Sequence, residues 1–209
     1  MIYISTACVK FDKIKDSVQE LVNHGFKNIE LSGGTKYYYG LEDDLLELKD
    51  KYNLNYICHN YFPPPKENFV VNLASLDDYI FNKTYNHLEK SINLSKKLGV
   101  NKFGFHAGFY FNIPLLEIGK KITKHNLFDK SKSLNRFCTA FELLKKNNPN
   151  ISLFLENNVI SNENFQNFNE NFFMLTCSSE YNELFNKIKF DLILDVAHLK
   201  VSSKSLNLD

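Results

Sequence analysis

Arginine, clustered cysteine, charge of one sign and long apolar runs are all scarce in this sequence, and each shortage removes a class of function. Arg136 is the only arginine among 209 residues, whereas bidentate clamping of phosphates or carboxylates favours arginine over lysine. The 25 basic residues are matched by 24 acidic ones, so no global field marks a nucleic-acid or membrane-surface binder. Nucleic acid is therefore an unexpected partner, and a small molecule the expected one. Cys8, Cys58, Cys138 and Cys177 lie far apart with no Cys-x-x-Cys pair, unlike a disulfide scaffold and in keeping with a reducing cytoplasm. No apolar stretch reaches membrane-spanning length, and Met1-Ile2-Tyr3-Ile4-Ser5 has neither a basic n-region nor a cleavage site. A soluble cytoplasmic protein is expected, with no membrane partner.

With 44% hydrophobic and 23% charged positions, the chain has ordinary globular composition and apolar material for one sizeable core. No linker or composition break appears, so residues 1–209 read as a single domain. Six short apolar runs rich in β-formers alternate with amphipathic segments: Ile2–Cys8, Asn28–Leu31, Leu54–Cys58, Lys102–Phe105, Ile151–Leu155 and Phe190–Leu194. That alternation predicts βα units and a parallel α/β sheet. Asp12 is placed to cap a helix bearing Ile14, Val18, Leu21 and Val22, with Gly25 ending it. Further helices are expected over Leu41–Tyr52, from Ser75 and Asp78 to Gly99, over Ser131–Asn147 and over Ser179–Ile188, with a loop and short helix over Asn157–Asn171. His24, His87 and His125 fall away from strand tips and read as surface or capping residues. Periodicity alone leaves two architectures open, a TIM barrel and a doubly wound open sheet.

Polar residues discriminate. From the third run onward each apolar strand leads into a metal-ligand type of side chain: His59 after Tyr56-Ile57-Cys58, His106 after Phe103-Gly104-Phe105, Glu156 after Leu153-Phe154-Leu155, and Asp195 after Ile193-Leu194, with His198 three residues on. In a parallel barrel all strand C-termini open on one face, so these five groups would converge as ligands of a divalent ion. Imidazole nitrogen and carboxylate oxygen suit Zn, Mn, Co or Mg.

Six segments carry a resemblance: Ile29-Glu30-Leu31-Ser32-Gly33-Gly34-Thr35, Cys58-His59-Asn60-Tyr61-Phe62, Asn72-Leu73-Ala74-Ser75, Phe105-His106-Ala107-Gly108-Phe109, Leu155-Glu156-Asn157-Asn158 and Leu194-Asp195-Val196-Ala197-His198. In order and strand-end placement the sequence resembles the xylose-isomerase-like TIM barrels, which include sugar-phosphate isomerases and epimerases and the endonuclease IV group. The resemblance implies a (β/α)8-type barrel of which about six βα units are present. Glu156 and Asp195 match the carboxylates that hold the catalytic metal of the isomerases and epimerases, and His198 matches a substrate- or metal-contacting histidine. His59 and His106 match ligands of the endonuclease IV cluster. The family pattern continues with a seventh strand bearing His and an eighth bearing Glu. Neither is in this sequence, and a full barrel takes about 250 residues, so a fragment of a longer protein is the expectation.

The function implied is a metal-dependent isomerase or epimerase acting on a sugar or sugar phosphate through a metal-stabilised enediolate, with Glu156 and His198 as catalytic residues. Gly33, Gly34 and Lys36 form a turn whose N–H groups and ammonium could hold a phosphate; His59, His106 and Tyr61 would complete the substrate pocket. A homo-oligomer is compatible with this reading. The alternatives are an endonuclease-IV-like phosphodiesterase on abasic DNA, set against the balanced charge, and a truncated, non-catalytic remnant.

Overall fold

The structure is a computed structural model and describes residues 1–125 and 127–208. Six strands alternate with helices in chain order: β1 (Ile4–Ser5), α1 (Ile14–Asn23), β2 (Asn28–Leu31), α2 (Leu41–Tyr52), β3 (Asn55–His59), α3 (Asp78–Lys97), β4 (Lys102–His106), α4 (Lys130–Asn147), β5 (Ser152–Glu156), α5 (Asn162–Phe168), α6 (Ser178–Lys187), β6 (Asp191–Ile193) and α7 (Val196–Leu206). The strands follow one another in the order β1-β2-β3-β4-β5-β6, the sequential parallel arrangement that βα repeats generate. Two elements differ from expectation. Thr6–Cys8 is a 3₁₀ turn, started by the Ser5 hydroxyl accepting from Ala7 N–H, so β1 is short. Residues after Asp195, not anticipated as helical, form α7. Among the described residues no helix is long and apolar enough to cross a membrane.

The chain divides into two compact units. The first comprises Met1–Asn68, His87–Gly104 and Asn150–Ser152, the second Phe69–Asn86, Phe105–Pro149 and Leu153–Asp209. In the first unit, Ile29 and Leu31 of β2 are buried, and the parallel registers Ile4↔Ile29, Leu31↔Cys58 and His59↔Gly104 align β1 to β4. Helix α1 buries Ile14, Ser17, Val18 and Leu21, the i, i+3, i+4, i+7 stripe of an amphipathic helix. It ends in a Schellman turn, in which Gly25 at φ +84° donates to Val22 O and Phe26 N–H to Leu21 O. Asp12 does not cap α1. Its backbone O and carboxylate receive the backbone N–H and ammonium of Lys36, which tie it to the turn after β2, and the helix starts at Lys13 without a side-chain cap.

His87 departs from its reading as a surface group. It lies on α3 one turn before Ser91, which is fully buried and donates to the His87 carbonyl, and is itself buried. Burial, with the nearby Lys90 charge adding to it, pushes its imidazole down to about 4. A histidine whose folded pKa lies below its unfolded value protonates more readily in the unfolded chain. Stability is therefore intact above about pH 6.5 and falls as pH drops from there towards 4, by about 3 kcal/mol over the whole window. Urea midpoints measured from pH 7.5 to 4.5 should fall less steeply for His87→Gln than for the wild type; equal slopes would discount the effect. His24 does cap α1, and His125 lies against Phe111.

The second unit holds a phenylalanine core. Phe105 on β4, Phe137 and Phe141 on α4, and Phe172 are fully buried. Asp129 caps α4 by accepting from Lys132 N–H at 2.8 Å, and Ser161 caps α5 from Asn164 N–H at 3.2 Å. Register Glu156↔Ile193 joins β5 to β6, and Ala107 N–H donates to Glu156 O beyond β4. These pairings carry the ends of β4, β5 and β6 side by side.

Candidate metal centre

Four of the ligand-type residues belong to the second unit. His106 ends β4, Glu156 ends β5, Asp195 follows β6, and His198 lies in the first turn of α7. Glu156 occupies the middle, its side chain only 5% exposed, with Oε2 3.6 Å from His106 Nδ1 and Oε1 3.7 Å from His198 Nδ1. The two imidazole rings have centroids 5.5 Å apart. Asp195 divides its carboxylate. Oδ1 caps α7 by accepting from His198 N–H at 2.8 Å, while Oδ2 stands 3.8 Å from His198 Nε2.

One hydrogen bond sets the chemistry of that gap. His198 Nδ1 lies 2.8 Å from the carbonyl oxygen of Asn157. A carbonyl can only accept, so Nδ1 carries the proton and, in the neutral ring, Nε2 presents a lone pair. Nε2 and Asp195 Oδ2 then face each other as two acceptors, an arrangement that a cation satisfies. Glu156, Asp195 and His198 each offer one ligand-type atom, and these lie within 4.8 Å of one another, carboxylate oxygen and imidazole nitrogen being the donors that zinc and related ions take. A histidine whose far nitrogen donates to a backbone carbonyl is also the usual outer support of a metal-binding imidazole. The residues therefore fit a divalent ion held by Glu156, Asp195 and His198. Asp195 and His198 are part-exposed, which leaves room for an exogenous ligand.

The remaining predicted site residues lie in the first unit. His59 ends β3 with Nδ1 3.5 Å from Glu30 Oε1; Glu30 alternates with buried Ile29 and Leu31 on β2, a signal the sequence contained. A Cβ on Gly33 would stand 3.1 Å from Tyr61 Cβ, and Gly34 has φ +103°, so close approach and turn geometry account for this glycine pair. Tyr61 has a left-handed backbone at φ 66°. Lys36 pairs with Asp12 at 2.9 Å, both side chains about three-quarters exposed.

Buried asparagines form a class that ligand-type reasoning passed over. Asn157 extends the β5–β6 ladder with its side chain, Oδ1 accepting from Asp195 N–H at 2.7 Å and Nδ2 donating to Asp195 O at 3.0 Å. Asn158 Nδ2 reaches the carbonyls of Ala107, Gly108 and Met174. Asn72 donates to Phe109 O and Phe111 O and accepts from Phe109 N–H, which fastens the loop after β4.

No family model and no curated protein sequence matches the chain. Solved structures do. A D-tagatose 3-epimerase-like protein superposes with TM-score 0.65 at 17% identity, covering 93% of this chain and 64% of that one. D-psicose 3-epimerase from Clostridium cellulolyticum gives TM-score 0.62 at 16% identity, covering 95% and 64%. Endonuclease IV from Thermus thermophilus gives 0.54 at 13%, covering 95% and 62%. The chain thus spans less than two thirds of the length of these structures. A further match, at TM-score 0.56 and 10% identity, is a fusion protein described as a xylose isomerase-like TIM barrel joined to a 4-hydroxyphenylpyruvate dioxygenase, of which 26% is covered. Over its six strand–helix units, the chain has the fold of the xylose-isomerase-like TIM barrels.

Proposed function

We propose that this chain forms the metal-binding part of a divalent-metal-dependent isomerase or epimerase acting on a sugar or sugar phosphate. The observation that carries this reading is the facing pair of acceptors, His198 Nε2 and Asp195 Oδ2, in a residue set that the buried Glu156 completes. It is supported by proteins that share the fold and are described as a D-tagatose 3-epimerase-like protein, an L-ribulose 3-epimerase and a D-psicose 3-epimerase. Held by Glu156, Asp195 and His198, a divalent ion would draw charge from the substrate's carbonyl and hydroxyl oxygens and so acidify the C–H between them. The protein's own part is positional. Glu156 takes the proton from carbon and holds it on one carboxylate oxygen, and His106, at 3.6 Å from Oε2, orients that oxygen. Burial of Glu156 keeps water from competing for the proton.

A phosphodiesterase of the endonuclease IV type is the second reading, favoured by His106 as a fourth donor beside Glu156. Titration with Mn²⁺ and Zn²⁺ tests both. One equivalent bound, a raised melting temperature and interconversion of ketose epimers are the outcomes expected of the epimerase. At a hundred times the dissociation constant, binding should stabilise the fold by about 2.7 kcal/mol. Two or more equivalents with cleavage of abasic DNA would favour the nuclease, and no shift with either ion would remove the metal centre altogether.

A further inference from the structure

We infer that Asn157 is a positioning residue of the metal centre, whose side chain sets Asp195 and, through it, His198; the inference rests on the metal-binding reading above. Backbone pairing of β5 with β6 runs to Glu156↔Ile193, and the Asn157 N–H reaches Ile193 O at a long 3.4 Å. Beyond that point the β6 chain turns into α7 and leaves the ladder. The Asn157 amide supplies the missing rung. It accepts the Asp195 N–H and donates to the Asp195 carbonyl, so one side chain satisfies both backbone groups that a parallel ladder would pair with two successive residues. Among uncharged side chains only a carboxamide offers a donor and an acceptor side by side in this way.

The rung has a chemical consequence because of what Asp195 does. Its carbonyl also accepts from Leu199 N–H at 3.0 Å and its Oδ1 from His198 N–H, so Asp195 sets the first turn of α7. That turn places His198 Nδ1 against the Asn157 backbone carbonyl at 2.8 Å, and the contact keeps Nε2 as the lone-pair nitrogen. One residue, 5% exposed, therefore holds a carboxylate through its side chain and orients an imidazole through its backbone. Outer partners of this kind typically change metal affinity roughly 10- to 100-fold when removed.

Asn164 provides an internal control. From α5 its amide also accepts one backbone N–H and donates to one carbonyl, those of Ile122 at 2.9 Å and Lys120 at 3.0 Å, on a segment that contributes no ligand-type residue to the centre. The experiment compares Asn157→Ala with Asn164→Ala by Mn²⁺ calorimetry, amide exchange at Asp195 and ¹⁵N spectra of the histidine rings. Asn157→Ala should bind Mn²⁺ roughly 10- to 100-fold more weakly, expose the Asp195 amide to exchange and turn the single His198 tautomer into a mixture. Asn164→Ala should lose comparable stability and leave all three readouts at wild-type values. Equal weakening by both variants, or Mn²⁺ affinity within twofold of wild type in Asn157→Ala, overturns the assignment. Should the alanine variant not fold, Asn157→Asp keeps the acceptor for the Asp195 N–H but sets a carboxylate oxygen against the Asp195 carbonyl, and should keep the Asp195 amide protected while mixing the His198 tautomers; an unmixed tautomer in it would overturn the assignment. If the wild type takes no Mn²⁺, the metal reading fails separately, and the exchange and ring spectra of the metal-free protein still decide whether Asn157 sets Asp195 and His198.

Discussion

Glu156→Gln is expected to lower Mn²⁺ affinity at least about 100-fold and the proposed epimerase turnover by about 10²- to 10⁴-fold, while the metal-free protein melts at the same temperature or higher. The substitution keeps the volume of the side chain and removes only its charge. In the native site that charge is almost wholly buried between two imidazoles, at 3.6 and 3.7 Å. Withdrawing a carboxylate from water costs several kcal/mol, which nearby partial charges offset incompletely. A neutral amide avoids the cost, so the fold has no reason to weaken. Function has every reason to, because an amide is a poor ligand for a divalent ion and cannot accept a proton from carbon. Melting curves with and without Mn²⁺ separate the two effects. Wild-type Mn²⁺ affinity in the glutamine variant would count against Glu156 as ligand, whatever happened to activity.

How far the site could be read from sequence depends on how many jobs each residue type can do. The β-rich runs were legible because a buried parallel strand is a short, nearly continuous apolar stretch, and Asn28–Leu31 and Leu41–Tyr52 coincide with β2 and α2. Glu156 was legible because a carboxylate ending such a run is rare without a task. Asp195 was harder. Asp-x-x-His is the spacing of two ligands and also that of an N-cap with its third helical residue; here Oδ1 makes the cap while Oδ2 stands 3.8 Å from His198 Nε2. Helix α7 was missed for that reason. Asn157, Asn72 and Asn164 stayed hidden because asparagine is abundant in this chain and reads as loop, although buried amides are what fasten these loops. His87 was hidden because its burial depends on which face of α3 turns inward, and no strand-end rule speaks to that.

Phe141→Ala should be the most destabilising single change in the second unit, by about 3–5 kcal/mol, or a fall in melting temperature of roughly 6–20 °C. Phe141 is fully buried on α4 and sits amid Phe105 at 6.2 Å, Phe137 at 6.3 Å and Phe190 at 6.5 Å between ring centroids. Truncation leaves a cavity lined by rigid rings that cannot collapse into it, which puts the cost at the upper end of such changes. Leu143, two residues along the same helix, is 46% exposed; Leu143→Ala should change stability by no more than about 0.5 kcal/mol, and a comparable loss there would place the core elsewhere. Phe105 immediately precedes His106 at the end of β4, so the cavity opens next to one of the strand ends that carry the centre. The proposed centre exists only in the folded chain, so excess Mn²⁺ should return part of the lost melting temperature to Phe141→Ala through mass action. The same excess should leave the melting temperature of Glu156→Gln where it stands without the ion. A core lesion lowers the population of a competent site, whereas a ligand lesion removes the site from a chain that still folds, and the two responses to one ion distinguish them.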